Sequence, residues 1–108
     1  MRRDWYCEDV LSGKMDVKKI WEDERVIVFY HPDPAAECHA VAIPKQHIPS
    51  LTDPAIIDGE LVSMMTAVQK AAVEMGIDKT GFFIESNAID PGVTPHVHWH
   101  IKSFESKR

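Results

Sequence analysis

Three histidines alternate with apolar residues near the end of the chain, in the segment Pro95-His96-Val97-His98-Trp99-His100-Ile101. Alternation of this kind is the period of a β-strand, in which successive side chains point to opposite faces. It predicts a strand over residues 96–102, with the three imidazoles on one face and the apolar side chains on the other. Next-but-one residues of a strand lie roughly 6.5–7 Å apart, so the imidazoles are expected to form a row.

This histidine row can carry chemistry, because imidazole titrates near neutral pH and is a nucleophile, a proton carrier and a metal ligand. Adjacent imidazolium charges repel and lower one another's pKa, which favours neutral, nucleophilic rings. A single histidine on a strand is more often structural, but a core strand gains nothing from three polar rings. A transition-metal site is the alternative, since His-x-His can supply two ligands to one ion.

The composition is that of one ordinary soluble domain, with 108 residues, 44% hydrophobic and 27% charged. We therefore expect a single domain over residues 1–108. The net charge of −5 argues against a nucleic-acid backbone or an anionic membrane as the main partner. The sequence contains no apolar run of membrane-spanning length and no recognisable signal peptide, and its two cysteines are expected to be thiols. A cytoplasmic location is predicted.

Strand patterns occupy the first half of the chain, over residues 17–21, 25–30 and 39–43. The short charged link at residues 22–24 predicts that the first two strands form a hairpin. A fourth strand is predicted over residues 82–86. Residues 5–13 favour a short N-terminal helix that ends at Gly13.

A helical pattern follows Pro54. The N-terminal cap is predicted at Thr52 or Asp53, and the stop at Gly76. Together these elements predict an α+β fold, with a mainly antiparallel five-stranded sheet, one long helix and the short N-terminal helix. The apolar residues at helical spacing are Ile57, Leu61, Met64, Met65, Val68, Ala72 and Met75.

The loop of residues 87–95 leads directly into the histidine strand. It contains the amide of Asn87, the hydroxyl of Thr94 and backbone N–H groups around Gly92 and Val93. Such groups hold phosphate oxygens without needing a net charge. Asn and Thr are also common in turns that bind nothing, so a phosphate-binding role and a purely structural role both stay open at this point.

Three segments of the sequence resemble one known family. Residues 96–102 are similar to the signature His-φ-His-φ-His-φ-φ, where φ is apolar, except that Lys102 occupies the last position. Residues 38–48, with Pro44-Lys45-Gln46-His47-Ile48, resemble a strand followed by a Pro-Lys-x-His-Ile element. Residues 5–24 are similar to the opening of small bacterial members. The chain thus resembles the histidine triad (HIT) family, most closely its small nucleoside phosphoramidase-type branch.

The resemblance implies a HIT-like fold and a nucleotide hydrolase or transferase acting at the α-phosphate of nucleoside phosphoramidates or related conjugates. His98 would attack phosphorus and form a transient nucleotidyl-histidine, which splits one difficult displacement into two. His100 would assist proton transfer at the leaving group, and His96 would orient His98. His39 matches the fourth histidine of the family.

The resemblance also implies residues that bind the substrate. Asn87 matches a contact to the phosphate and leaving group, and Thr94 lies near the position of a family serine, beside Gly92 and Val93. The position of the ribose-binding aspartate is taken by His31, with Asp33 two residues later. This departure leaves nucleoside recognition open.

Many bacterial members hold a structural zinc ion between two N-terminal cysteines and two histidines. The matching positions here are Asp4, Cys7, His47 and His96, which would give four ligands of acceptable type. The reaction itself is expected to need no cofactor. A homodimer acting on a small-molecule nucleotide, with no nucleic-acid or membrane partner, is implied. The alternative is a nucleotide- or zinc-binding module with little or no turnover.

Overall fold

The fold is described from a computed structural model that covers residues 6–32, 34, 36, 38–86 and 96–104, except for the side chains of residues 7 and 8. Within these residues the chain forms five strands and one long helix, so the predicted α+β class is confirmed. The elements are a π-helical turn (Tyr6–Val10), β1 (Lys19–Glu22), β2 (Val26–Tyr30), β3 (His39–Pro44), a 3₁₀ helix (Pro54–Ile56), α1 (Glu60–Met75), β4 (Phe82–Glu85) and β5 (Trp99–Ser103).

The described strands form one antiparallel sheet in the order β1-β2-β3-β5-β4. The predicted β1–β2 hairpin is present, and the Asp23 carboxylate closes its turn by accepting hydrogen bonds from the backbone N–H groups of Arg25 and Val26, both at 2.8 Å. β5 pairs with β3 on one side and β4 on the other. The histidine-bearing strand is therefore internal to the sheet.

Both faces of the sheet bury apolar side chains. On one face α1 packs over β1, β2 and β3, and its Met64 and Val68 join Val28, Ala42 and Ile101 of the sheet in one core. The opposite face carries a smaller cluster. Strands β2 and β3 are thus covered on both sides, which explains their continuous runs of apolar residues. The second cluster contains Tyr6, Val10, Ile27, Phe29, Val41 and Ile43.

The face that helix α1 turns to the sheet matches the predicted one only in part. Met64, Val68 and Ala72 are buried as expected. Leu61 and Met65, expected inside, are exposed, whereas Ala67 and Ala71 are fully buried. Alanine side chains allow a helix to approach a sheet closely, and a pattern weighted by side-chain size overlooks them. The buried side chains of α1 are Glu60, Met64, Ala67, Val68, Ala71 and Ala72.

The ends of the helices differ from expectation on the N-terminal side. The Asp53 carboxylate caps the 3₁₀ helix, accepting from the N–H of Ala55 at 2.9 Å, and α1 starts only after Gly59, whose φ is 89°. The predicted stop at Gly76 is present, with φ at 75°. In the described part of the predicted N-terminal helix, the regular structure is the single π-helical turn at Tyr6–Val10. Of the described helices, none is long and apolar enough to cross a membrane.

Strand β5 begins three residues later than predicted. Its register pairs Ala42 with Trp99, so further pairing toward the N-terminus would reach Pro44 opposite Val97. Proline has no N–H to donate to a ladder. The N–H of Val97 donates instead to the carbonyl of Ile48 at 2.7 Å. The predicted alternation nevertheless holds, because Val97, Trp99 and Ile101 all join the core beneath α1.

The helix orientation can be tested with two identical substitutions. Val68→Ala removes a side chain that is 1% exposed, whereas Val73→Ala changes one that is 64% exposed. We expect Val68→Ala to lower the free energy of unfolding by about 2 kcal/mol through lost burial and a residual cavity. Val73→Ala should change it by less than about 0.5 kcal/mol. Urea unfolding followed by circular dichroism measures both, and equal losses would contradict the orientation.

Candidate active site

Four histidines converge on the sheet face opposite α1. His39 is the first residue of β3, His100 lies in β5, His98 precedes β5 and His31 directly follows β2. The ring centroids of His98 and His100 are 5.1 Å apart, as are those of His39 and His100, and His31 lies 4.3 Å from His39. The structure therefore joins two of the three triad histidines to His39 of β3 and to His31, the residue after β2.

The ring of His98 is held by the backbone of its own segment. Its Nδ1 lies 2.7 Å from the carbonyl oxygen of His96. A carbonyl oxygen only accepts hydrogen bonds, so Nδ1 carries the proton that it donates. In the neutral ring the lone pair then resides on Nε2, so Nε2 is the nitrogen with nucleophilic character.

His96 is fully buried and fixed in a similar way. Its Nε2 donates to the carbonyl oxygen of Pro44 at 2.8 Å, which ties the start of the histidine segment to the end of β3. Tyr6 packs against both neighbouring rings, with centroid distances of 5.8 Å to His96 and 5.1 Å to His98. The N-terminal turn thus closes one side of the histidine row.

A second pair of rings meets across β3 and β5. The Nε2 of His39 lies 2.9 Å from the Nδ1 of His100, so one nitrogen donates and the other accepts. His31 stacks on His39 with an angle of 15° between the ring planes. The N–H of His31 also donates to the carbonyl of His39 at 2.9 Å, which fixes the backbones of the two residues side by side.

The electrostatics of this group favour neutral imidazole. Burial, the largest cause, and charge repulsion from the neighbouring His98, His39 and His31 together lower the pKa of His100 from 6.5 to about 4. At neutral pH His100 is therefore uncharged. On the same face, Glu85 lies opposite His100 in the register and forms an ion pair with Lys102 at 2.7 Å, which lowers the pKa of the glutamate.

Two members of the predicted zinc set lie next to each other. The ring centroids of His47 and His96 are 5.5 Å apart, in an edge-on arrangement. Asp4 and the side chain of Cys7 lie outside the described residues. The zinc site at these four residues stays a prediction.

Most of the predicted substrate contacts also lie outside the described residues. These are Asp33, Asn87, Gly92, Val93 and Thr94. Their roles stay predictions. The remaining member of that set is His31, which the structure places against His39 and 5.7 Å from the ring of His100.

Sequence reasoning missed two contacts of the site. It assigned His31 to the ribose position without joining it to the histidine group, and it gave Tyr6 no role in the site. The signal for His31 was available: it continues the alternation of Ile27 and Phe29, which face the smaller cluster. No comparable signal existed for Tyr6, because its position depends on how the N-terminal turn folds back over the sheet.

Comparison with known proteins agrees with this geometry. The family model of the HIT domain matches residues 12–105, most of the chain. The chain belongs to the HIT family. An uncharacterized HIT-like protein from Helicobacter pylori is 34% identical over 99 residues, covering 89% of this chain and 92% of the relative.

Solved HIT structures share the fold over nearly the whole chain. A histidine triad protein from Clostridium difficile superposes with a TM-score of 0.85 at 30% identity, covering 100% of this chain and 97% of the other. A HIT family hydrolase from Legionella pneumophila gives 0.81 at 25% identity, covering 93% and 91%. A histidine triad nucleotide-binding protein from Candida albicans gives 0.78 at 26% identity, covering 94% and 76%.

The lowered pKa of His100 predicts a pH-dependent stability. A proton binds His100 more tightly in the unfolded chain, with pKa 6.5, than in the folded protein, with pKa about 4. The stability contribution of the neutral ring is therefore present above pH 6.5 and lost as the pH falls toward 4. Between these two pH values we expect the unfolding free energy of His100→Gln to depend less steeply on pH than that of the wild type. Urea unfolding of chelator-treated protein at several pH values measures it; identical slopes would contradict the assignment.

Proposed function

We propose that this protein is a nucleotide hydrolase or transferase that cleaves at the α-phosphate of nucleoside phosphoramidates or related conjugates, through a nucleotidyl-histidine on His98. The observation that carries the proposal is the hydrogen bond from Nδ1 of His98 to the carbonyl of His96. It fixes the tautomer and directs the lone pair to Nε2, as a nucleophilic histidine requires.

The proposed reaction has two displacements. Nε2 of His98 attacks the α-phosphorus, and the bond from phosphorus to the leaving nitrogen breaks as the phosphorus–histidine bond forms. The leaving amine takes up a proton, for which His100 is the donor at 5.1 Å between ring centroids. Water then attacks phosphorus and passes a proton to the now neutral His100, the phosphorus–histidine bond breaks with its electrons returning to Nε2, and the nucleoside monophosphate departs.

His100 must gain a proton to act as that donor. With a pKa of about 4 it is uncharged at neutral pH in the protein alone. An anionic phosphate beside the ring favours the charged form and raises the pKa, since opposite charges within a few ångströms stabilise one another. We therefore infer that substrate binding itself brings His100 into its acid form. The contact between His39 and His100 would orient the donor.

The comparisons support the class of reaction more strongly than the substrate. One structural neighbour is named as a HIT family hydrolase and another as a histidine triad nucleotide-binding protein. Phosphate contacts at Asn87 and Thr94, with the backbone at Gly92 and Val93, belong to this proposal. At the ribose position His31, with Asp33 near it in sequence, would offer a ring N–H or lone pair to a hydroxyl where the family has a carboxylate.

Replacement of the nucleophile tests the proposal. His98→Ala should lower the rate of adenosine 5′-phosphoramidate hydrolysis by about 10⁴–10⁶-fold, because the covalent route is lost. His98→Asn is the matched variant, since it retains an N–H donor toward the carbonyl of His96 but has no nucleophilic nitrogen. We expect it to be equally inactive. Initial rates and thermal unfolding of chelator-treated proteins would be compared.

A wild-type protein that binds nucleotide without turnover would instead support the nucleotide-binding module. Hydrolysis that persists in both His98 variants would overturn the role of His98. The intermediate would be identified directly by an increase in the mass of the wild-type protein equal to one nucleotidyl group. This adduct should be lost in acid and should be absent from His98→Asn.

We further propose that the protein forms a homodimer. β4 is an edge strand of the described sheet, and its Ile84 is partly exposed, as are Leu61 and Val62 of α1. An unpaired strand edge that carries an exposed apolar side chain is a common surface for association, and the exposed apolar residues of α1 are a further surface of this kind. Dimerisation would cover these groups.

Sedimentation analysis tests the dimer. We expect a mass of twice the 12.3 kDa chain for the wild type. Ile84→Glu places a charge at the proposed contact and should shift the protein to the monomer at low micromolar concentration. Lys14→Glu adds the same carboxylate at an exposed residue near the N-terminal turn and should remain dimeric. A monomeric wild type would overturn the proposal.

A further inference from the structure

We propose that His31, His39 and His100 form a binding site for one divalent transition-metal ion of the zinc class. This three-histidine cluster is separate from the zinc set predicted at Asp4, Cys7, His47 and His96. Metal binding at the cluster does not depend on the proposed hydrolase function.

The spacing of the ring nitrogens is close to that of a tetrahedral ion. One nitrogen from each ring can be chosen so that all three lie within 4.8 Å of one another. Zinc–nitrogen bonds of 2.0–2.1 Å at tetrahedral angles place ligand nitrogens roughly 3.3 Å apart. The His39–His100 contact, at 2.9 Å, is already near this value. Imidazole lone pairs lie in the ring planes, so the stacked rings of His31 and His39 must turn out of their parallel arrangement for both to bind one ion.

The backbone holds the three ligands together without any metal. His39 and His100 belong to β3 and β5, which pair with each other in the sheet. The N–H of His31 donates to the carbonyl of His39, so the residue after β2 is anchored to the first residue of β3. Ligands fixed on neighbouring strands lose little conformational entropy on binding an ion.

The donor set selects the class of ion. Among the described residues the group contains three imidazoles and no carboxylate or thiol. Imidazole suits zinc, copper, nickel and cobalt, whereas magnesium and calcium prefer oxygen ligands. Three protein ligands also leave a fourth tetrahedral position for water or for an oxygen of a small molecule.

A bound ion would change the proposed reaction. A metal ion bound by His39 and His100 would occupy the lone pair of the His100 ring, so His100 could no longer act in proton transfer. This consequence, unlike the binding itself, rests on the proposed function. We expect one equivalent of zinc to lower the hydrolysis rate of the wild type, measured beside the untreated enzyme.

The binding test uses a background in which the other predicted zinc set lacks one ligand. Chelator-treated His47→Ala protein is titrated with zinc in competition with a chromophoric chelator, and with cobalt while its visible absorption bands are recorded. The second protein carries both His47→Ala and His31→Phe. Phenylalanine keeps an aromatic ring that can stack on His39 but has no ligand nitrogen, so it is the matched change.

We expect His47→Ala to bind one ion and His31→Phe to weaken that binding by at least about tenfold, the lower end of the loss seen when even outer-shell partners of a metal are removed. Absence of binding in His47→Ala, or equal affinity in the two proteins, would overturn the proposal. If the double variant fails to fold, histidine ring resonances of the His47→Ala protein replace it as the test. Zinc must then perturb His31, His39 and His100 together, and an unperturbed His31 would overturn the site.

Discussion

The site depends on the point at which the ladder between β3 and β5 stops. Pro44 has no N–H, so the chain before Trp99 does not continue the pairing. The carbonyl oxygens of Pro44 and His96 instead accept hydrogen bonds from the rings of His96 and His98. One proline thus converts the end of an ordinary strand pair into a backbone frame that sets the tautomers of two buried histidines.

This backbone frame can exist because one face of the sheet forms the main apolar core while the other carries the histidine rings. The face under α1 holds the larger apolar core, to which the alternate residues Val97, Trp99 and Ile101 contribute. Burial of these three side chains in the core fixes the position of the histidine segment on the sheet. Polar rings on the opposite face then need only enough hydrogen bonds to offset their burial, and the described contacts supply these largely from the backbone.

The sequence predicted those features of the fold that follow from local period. Alternation placed the histidines and their apolar neighbours on opposite faces, and Gly76 marked the end of the helix. The sequence did not predict the late start of β5, because the start depends on which residue of β3 lies opposite Val97 in the sheet. The inward face of α1 was predicted only in part for a related reason: Ala67 and Ala71 gain their burial from the close approach of the sheet. The alternation with Ile27 and Phe29 indicated the face on which His31 lies, but its contact with His39 depends on the pairing of β2 with β3, which no local pattern encodes.

The histidine at position 31 changes the character of the whole group. A carboxylate there, as the family resemblance implies, would stabilise imidazolium and raise the pKa of nearby histidines. His31 instead adds to the repulsion that, with burial, holds the pKa of His100 at about 4. Neutral rings have lone pairs to offer and no proton to give until an anion arrives. The same electrostatics that leave His100 without an acid proton at neutral pH leave its lone pair free of competition from a proton, so a phosphate and a metal ion favour opposite protonation states of one ring.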